Sequence, residues 1–172
     1  MDIPWANDSS YIVRCIEESF APSRGGNPMI TLKFEVVAPE EMEVDGVKYN
    51  IAGTPISYWN ITQNMNGEEV DTEKTEKSAK RTTQLYNAFG LDSSNINPEN
   101  PALGFKGKTV YALIVNDAKE KRKSPTSEQL AKGQKVGDIM INPVTKKPLL
   151  TNYPKITEIF GIAEVTTGAA PY

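Results

Sequence analysis

The 172-residue chain contains no histidine. That absence removes imidazole general bases, Ser-His and Cys-His nucleophile pairs, and the common zinc and non-haem iron sites, so most hydrolase mechanisms lose their central residue. Cysteine occurs once, at Cys15. It cannot form an internal disulfide, and in the alternating run Tyr11-Ile12-Val13-Arg14-Cys15-Ile16 it reads as a small buried hydrophobe in a reducing compartment. No stretch approaches the ~20 apolar residues of a membrane-spanning helix, and Met1-Asp2-Ile3-Pro4-Trp5 has neither the basic segment nor the apolar core of a leader. The expectation is a cytoplasmic protein with no membrane partner.

Acidic and basic residues are unevenly placed. Residues 1–73 carry thirteen acidic and four basic residues, and 74–172 carry nine and fifteen, so a net charge of −3 divides into −9 and +6. Lys106, Lys108, Lys119, Lys121, Arg122, Lys123, Lys132 and Lys135 fall between two strand-like segments, against only Asp117, Glu120 and Glu128. A basic loop region on a β scaffold points to a polyanionic partner.

Motifs for other chemistry are incomplete. Gly107-Lys108-Thr109 matches the end of a phosphate-binding loop, but Ala102 stands where the first glycine belongs, and β-prone Val110–Val115 follows where a helix is required. Glu40, Glu41, Glu43 and Asp45, or Asp117-Ala118-Lys119, offer carboxylates for Mg²⁺ in a nuclease. The first group ends in Asp45-Gly46 between strand-like runs and reads as a solvated hairpin turn, and Asp117 has no upstream acidic partner. No cofactor or catalytic residue is therefore expected, and the chain reads as non-enzymatic.

The order of elements says more. Residues 10–18 alternate, Pro22–Pro28 carries turn chemistry, and Met29–Val37 alternates again with Ile30, Leu32, Phe34 and Val36 on one face. Val47–Gln63 is β-prone with a break at Gly53-Thr54-Pro55. Asp71 or Thr72 is placed to cap a helix running to about Phe89, with Gly90 as its left-handed stop. Its spacing puts Ala79, Leu85, Tyr86 and Phe89 on one face and Lys74, Lys77, Lys80 and Arg81 on the other, a pattern that an ordinary solvated helix also gives. A Pro/Asn-rich connector at 91–104 leads to a buried-type strand at 109–116. A charged loop at 117–137 follows, then strand candidates at Ile139–Ile141 and Lys155–Ala163.

The resulting class is mainly β with one helix, in the order β-β-β-α-β-β with long loops, which is the order of a five-stranded OB-like barrel. One domain is expected over 1–165, with 166–172 as a short flexible tail. At this length the domain buries roughly 70% of its unfolded surface. An OB barrel binds extended single strands on the face of its second and third strands, flanked by the loops corresponding here to 20–28 and 117–137.

Short stretches also resemble a known family. Gly26-Asn27-Pro28-Met29 entering Ile30–Val37, a helix ending Ala88-Phe89-Gly90-Leu91, and Phe105-Lys106-Gly107-Lys108 together resemble bacteriophage single-stranded DNA-binding proteins of replication and recombination modules, over about residues 10–115. The resemblance implies an OB fold that coats single-stranded DNA without sequence preference, partners among phage replication or recombination proteins, and residence in the host cytoplasm. Many such proteins end in an acidic tail with an aromatic tip. Here Thr166-Thr167-Gly168-Ala169-Ala170-Pro171-Tyr172 keeps the aromatic and has no acid, which weighs against recruitment through the tail.

Binding of that kind combines lysine and arginine contacts to phosphates with aromatic stacking on bases. The candidate residues are Lys33, Tyr49, Tyr58, Lys106, Lys108, Tyr111, Lys119, Lys121, Arg122, Lys123, Lys132 and Lys135. Tyr153 is a further aromatic near basic residues. Tyr58 and Trp59 are adjacent in a strand and must point to opposite faces. Trp59, beside Ile61, reads as inward and Tyr58 as outward, with the reverse assignment also open. The competing class is a structural or protein-interaction β domain whose basic loop is solvated.

Overall fold

The computed structural model describes residues 3–5 and 9–164. The expected tail at 166–172 lies outside the described residues. Eleven elements follow one another: β1 (Ser9–Pro22), β2 (Pro28–Ala38), β3 (Glu41–Val44), β4 (Val47–Asn50), β5 (Pro55–Ile61), β6 (Met65–Asn66), β7 (Glu69–Val70), α1 (Thr72–Ala88), β8 (Thr109–Glu120), α2 (Ser127–Ala131) and β9 (Leu150–Ile162). Five of the strands form one antiparallel sheet in the order β5-β2-β1-β8-β9. β3–β4 and β6–β7 are separate two-stranded ribbons.

The protein is thus mainly β, as expected, but the described residues form two helices rather than one, and the sheet is not a closed barrel. Its two edge strands, β5 and β9, come into contact without pairing. β1 is central because it pairs through its first half with β8 and through most of its length with β2. Register shifts near Val13 and at Ile16 bend it, as bulges do.

Period-two alternation decides which face is inside. Ile30, Leu32, Phe34 and Val36 of β2, Val13 and Cys15 of β1, and Val110, Ala112 and Ile114 of β8 are all buried. They meet Leu85, Tyr86 and Phe89 at the end of α1 together with Phe105. The rings interlock: Phe89 lies 4.9 Å from Phe105 edge-on and 6.1 Å from Phe34, and Tyr86 lies 5.0 Å from Phe105. Buried Cys15 is pushed up to about 11 by burial and then by nearby Glu18. Alkylation by iodoacetamide at pH 8 is therefore expected to be negligible in the folded protein and complete after denaturation, as read by intact mass.

α1 begins and ends where the sequence places it. Asp71 is the N-cap, accepting from the Lys74 amide at 3.1 Å, and Gly90 adopts φ 67 just after the C-cap Phe89. Asp71→Ala should cost about 1 kcal/mol in urea unfolding through loss of that cap. The expected inward Ala79 is exposed, and Ser78 and Thr82 are buried in its place. The reason is polar docking. The Ser78 hydroxyl donates to Asn64, the Asn60 amide donates to the Thr82 hydroxyl at 2.8 Å, and that hydroxyl donates to the Ser78 carbonyl at 2.9 Å. The helix is fixed to β5 by hydrogen bonds at its middle and by apolar side chains at its end.

Other expectations shift at their boundaries. The 20–28 loop shrinks to a turn at 23–27, because β1 and β2 pair as far as Pro22 and Pro28. The acidic turn is a hairpin, with Asp45 and Gly46 at φ 51 and 79 between β3 and β4. The 117–137 loop is overtaken at its start by β8, which pairs with β9 as far as Glu120, and α2 forms inside it. Ile139–Ile141 contributes only isolated bridges, to Arg122 and to Pro148.

Candidate nucleic-acid interface

The register of the sheet determines what faces outward. On β2, Thr31, Lys33 and Glu35 alternate with the buried set, and their β5 partners are Trp59, Ser57 and Pro55. On β8 and β9, Val115 pairs with Lys155, Asp117 with Tyr153 and Lys119 with Thr151. Where the two edge strands approach, a cleft of about 1030 Å³ opens between them, and Arg81 of α1 reaches its wall. Its aromatic and cationic lining residues are Tyr58 and Trp59 from β5, Arg81, Lys119 from β8, and Tyr153 and Lys155 from β9.

Trp59 is 61% exposed and Tyr153 49%. Tyr58 is half-buried, with its ring edge-on to Phe34 at 6.4 Å. Burial raises its phenol above the usual value, and Arg81 nearby pulls the other way. Tyr58 therefore stays a neutral hydroxyl donor throughout the physiological range. The cations Arg81, Lys119 and Lys155 face one carboxylate, Asp117, which pairs with Lys119 at 3.1 Å. The cleft thus carries a positive excess beside three aromatic side chains.

The expected orientation of the Tyr58–Trp59 pair is reversed. Trp59 lies on the outer face, in register with Thr31, and Tyr58 lies on the inner face with Ile56 and Asn60. Both still border the cleft because β5 is the sheet edge.

Of the twelve residues singled out from the sequence, the cleft gathers Tyr58 and Lys119. Lys121 follows two residues after Lys119, its amide bonded to the Leu149 carbonyl at 2.8 Å. Lys33 sits one strand away, opposite Ser57 of the cleft wall. It shares a separate hollow with Lys106, Glu17 and Glu18, where the acids offset the lysines. Lys106 and Lys108 belong to a turn held against β1: the Gly107 amide donates to the Cys15 carbonyl at 2.8 Å, and Glu18 accepts from the Phe105 amide at 2.8 Å. That turn leads into β8, so Gly107-Lys108-Thr109 opens a strand.

Tyr49 is half-buried on β4 and packs on the core. Tyr111 is exposed, but lies six residues, about 20 Å, along β8 from Asp117. Arg122, Lys123, Lys132 and Lys135 lie beyond the sheet, between β8 and β9, and all are exposed. Lys132 pairs with Glu128 at 3.5 Å.

Four of the six aromatic and cationic cleft residues were not among the twelve candidates: Trp59, Arg81, Tyr153 and Lys155. Arg81 was visible as part of a cationic helix face, and Tyr153 as an aromatic near lysines. Their convergence depends on long-range strand pairing that no local pattern encodes. The acidic residues weighed for a metal sit apart, with Glu41, Glu43 and Asp45 exposed around the β3–β4 turn and Asp117 paired with Lys119. Among the described residues no group of three or more acidic or cysteine side chains is arranged to hold a metal ion. No helix among them is long and apolar enough to cross a membrane. Comparison with family models, with curated proteins and with solved structures returns no match.

Proposed function

We propose that this protein binds single-stranded DNA without sequence preference, and that the strand lies in the cleft between β5 and β9. The single observation that carries this reading is the gathering of Tyr58, Trp59 and Tyr153 with Arg81, Lys119 and Lys155 along one groove. Rings stack on any base, and the cations take up phosphate charge. A duplex offers stacked, covered bases, whereas a single strand offers its base faces to those rings.

The strand order supports an OB-like reading of the fold. The helix falls between the third and fourth long strands, and β5 and β9 face each other, which is the arrangement an OB-type barrel open at one seam would have. On this reading the β2–β5 face, with Lys33 and Trp59, is the binding face, and the cleft is its continuation past the seam. The role that follows is the coating of exposed strands during phage-type replication or recombination.

Tryptophan fluorescence tests it directly. The chain has two tryptophans; Trp5 is buried at 4% exposure and Trp59 is open. Titration with a dT oligomer at 50 mM salt should quench the emission, and Trp59→Phe should remove most of the change while Trp5 persists. With three cations engaged, the log-log salt slope should be about −2, at about −0.7 per phosphate. An unchanged spectrum at low salt, with no shift of a labelled 30-mer, would reject the proposal.

A further inference from the structure

We infer that the segment between β8 and β9, residues 121–149, is an arm that docks on the acidic β3–β4 hairpin of a second copy of this chain. This is separate from the cleft and does not depend on its ligand.

The arm is ordered yet encloses nothing. Its backbone is tied together by bonds from Lys123 to Asp138, from Met140 to Lys121 and from Leu149 to Met140, each 2.8 to 2.9 Å. Thr126 and Gln129 close a capping box on α2. Gly137 packs so tightly that a Cβ there would lie 2.5 Å from the Lys123 carbonyl oxygen. Gly137 is nevertheless the only buried residue from 121 to 149. Leu130, Val136, Ile141 and Val144 are 48 to 87% exposed. A hydrogen-bonded segment whose aliphatic side chains stay exposed leaves apolar area that a partner can cover.

Its composition favours a protein over a nucleic acid as the cover. Residues 121–149 hold seven lysines and arginines against Glu128 and Asp138, and no aromatic residue. Phosphates would satisfy the cations, but bases would find no ring to stack on and the four aliphatic side chains would stay wet. The β3–β4 hairpin supplies the complement. Glu40, Glu41, Glu43 and Asp45 surround it with one lysine, Lys48, and Val47 at its turn is 51% exposed. Among the described residues no ion pair joins arm to hairpin within one copy.

The topology permits a reciprocal arrangement. β2 leaves the sheet at Ala38, opposite Ile12, and β8 passes Ser9 at Ile114 and runs on toward the arm. Hairpin and arm are therefore both entered from the same end of β1, a placement that lets one twofold axis bring each copy's arm to the other's hairpin.

A charge-exchange experiment on the full chain, without nucleic acid, tests this by sedimentation velocity at low salt. The wild type should sediment as a dimer of its 19.0 kDa chain. An arm variant (Lys123→Glu, Lys132→Glu, Lys135→Glu) and a hairpin variant (Glu40→Lys, Glu41→Lys, Glu43→Lys) should each be monomeric. Mixed in equal amounts they should regain the dimer, because each then offers what the other lacks. All six positions are exposed, and circular dichroism checks that both variants fold. A monomeric wild type overturns the inference, as do variants that dimerise as the wild type does. An arm variant that keeps its dimer but loses dT binding would make the arm a nucleic-acid surface and overturn it as well.

Discussion

Phe34→Ala is expected to lower the unfolding free energy by about 3–5 kcal/mol. The side chain is fully buried in β2, lies 6.1 Å from Phe89 and 6.4 Å from Tyr58, and so joins the sheet, the end of α1 and the inner wall of the cleft. Removing it leaves a cavity that those rings cannot close together, since Phe89 is also held edge-on by Phe105. Against a typical total of about 5–15 kcal/mol, the loss is a large fraction of the stability. Urea unfolding followed by circular dichroism gives the value. A loss below about 1 kcal/mol would mean that the aromatic cluster is not the centre of the core. Phe34→Leu, which keeps most of the volume, should cost much less.

The same substitution should reach the cleft. Tyr58 is held by Phe34 on one side and borders the groove on the other. In the cold, where the variant remains folded, its dT affinity should fall while its salt slope stays at the wild-type value, because the cations are untouched.

Local signals in the sequence account for the parts of the fold that local physics controls. Asp71 and Gly90 bound the helix because a side-chain acceptor and a residue free to take positive φ are needed there whatever surrounds them. Ile30, Leu32, Phe34 and Val36 mark the inner face of β2 because their spacing leaves no other side to bury. Asp45-Gly46 makes its turn for the same local reason. Tyr58-Trp59 shows the boundary of such reasoning: alternation sends the two rings to opposite faces but does not say which face is inside. That is decided by pairing with β2, which sets Trp59 beside Thr31. Ser78 and Thr82 displaced Ala79 from the interior because Asn60 and Asn64, far away in sequence, supply their partners. Of the lysines that stood out as a basic segment, Lys119 enters the cleft, and those further along lie in the arm. The β8–β9 pairing carries the chain away from the sheet after Glu120. Tyr153 and Lys155 enter by that same pairing, through Asp117 and Val115.

Trp59→Ala should weaken dT binding by about 1–3 kcal/mol, roughly 5- to 150-fold in Kd, with little effect on folding. Trp59 projects from the outer face of an edge strand and is 61% exposed, so its removal opens no cavity, and thermal unfolding should move little. Stacking is insensitive to salt in comparison with phosphate contact, so the salt slope should be that of the wild type. A combined Arg81→Ala, Lys119→Ala and Lys155→Ala variant should behave in the opposite way, flattening the slope from about −2 toward zero. Loss of Lys119 also leaves Asp117 unpaired in the groove, which adds repulsion toward phosphate and makes this change the costliest of the three. Labelled-oligomer titrations at several salt concentrations separate the two effects. If Trp59→Ala and the cation variant changed affinity and slope alike, stacking and phosphate contact would not be separate contributions in this cleft. If neither variant changed them, the strand would lie elsewhere on the molecule.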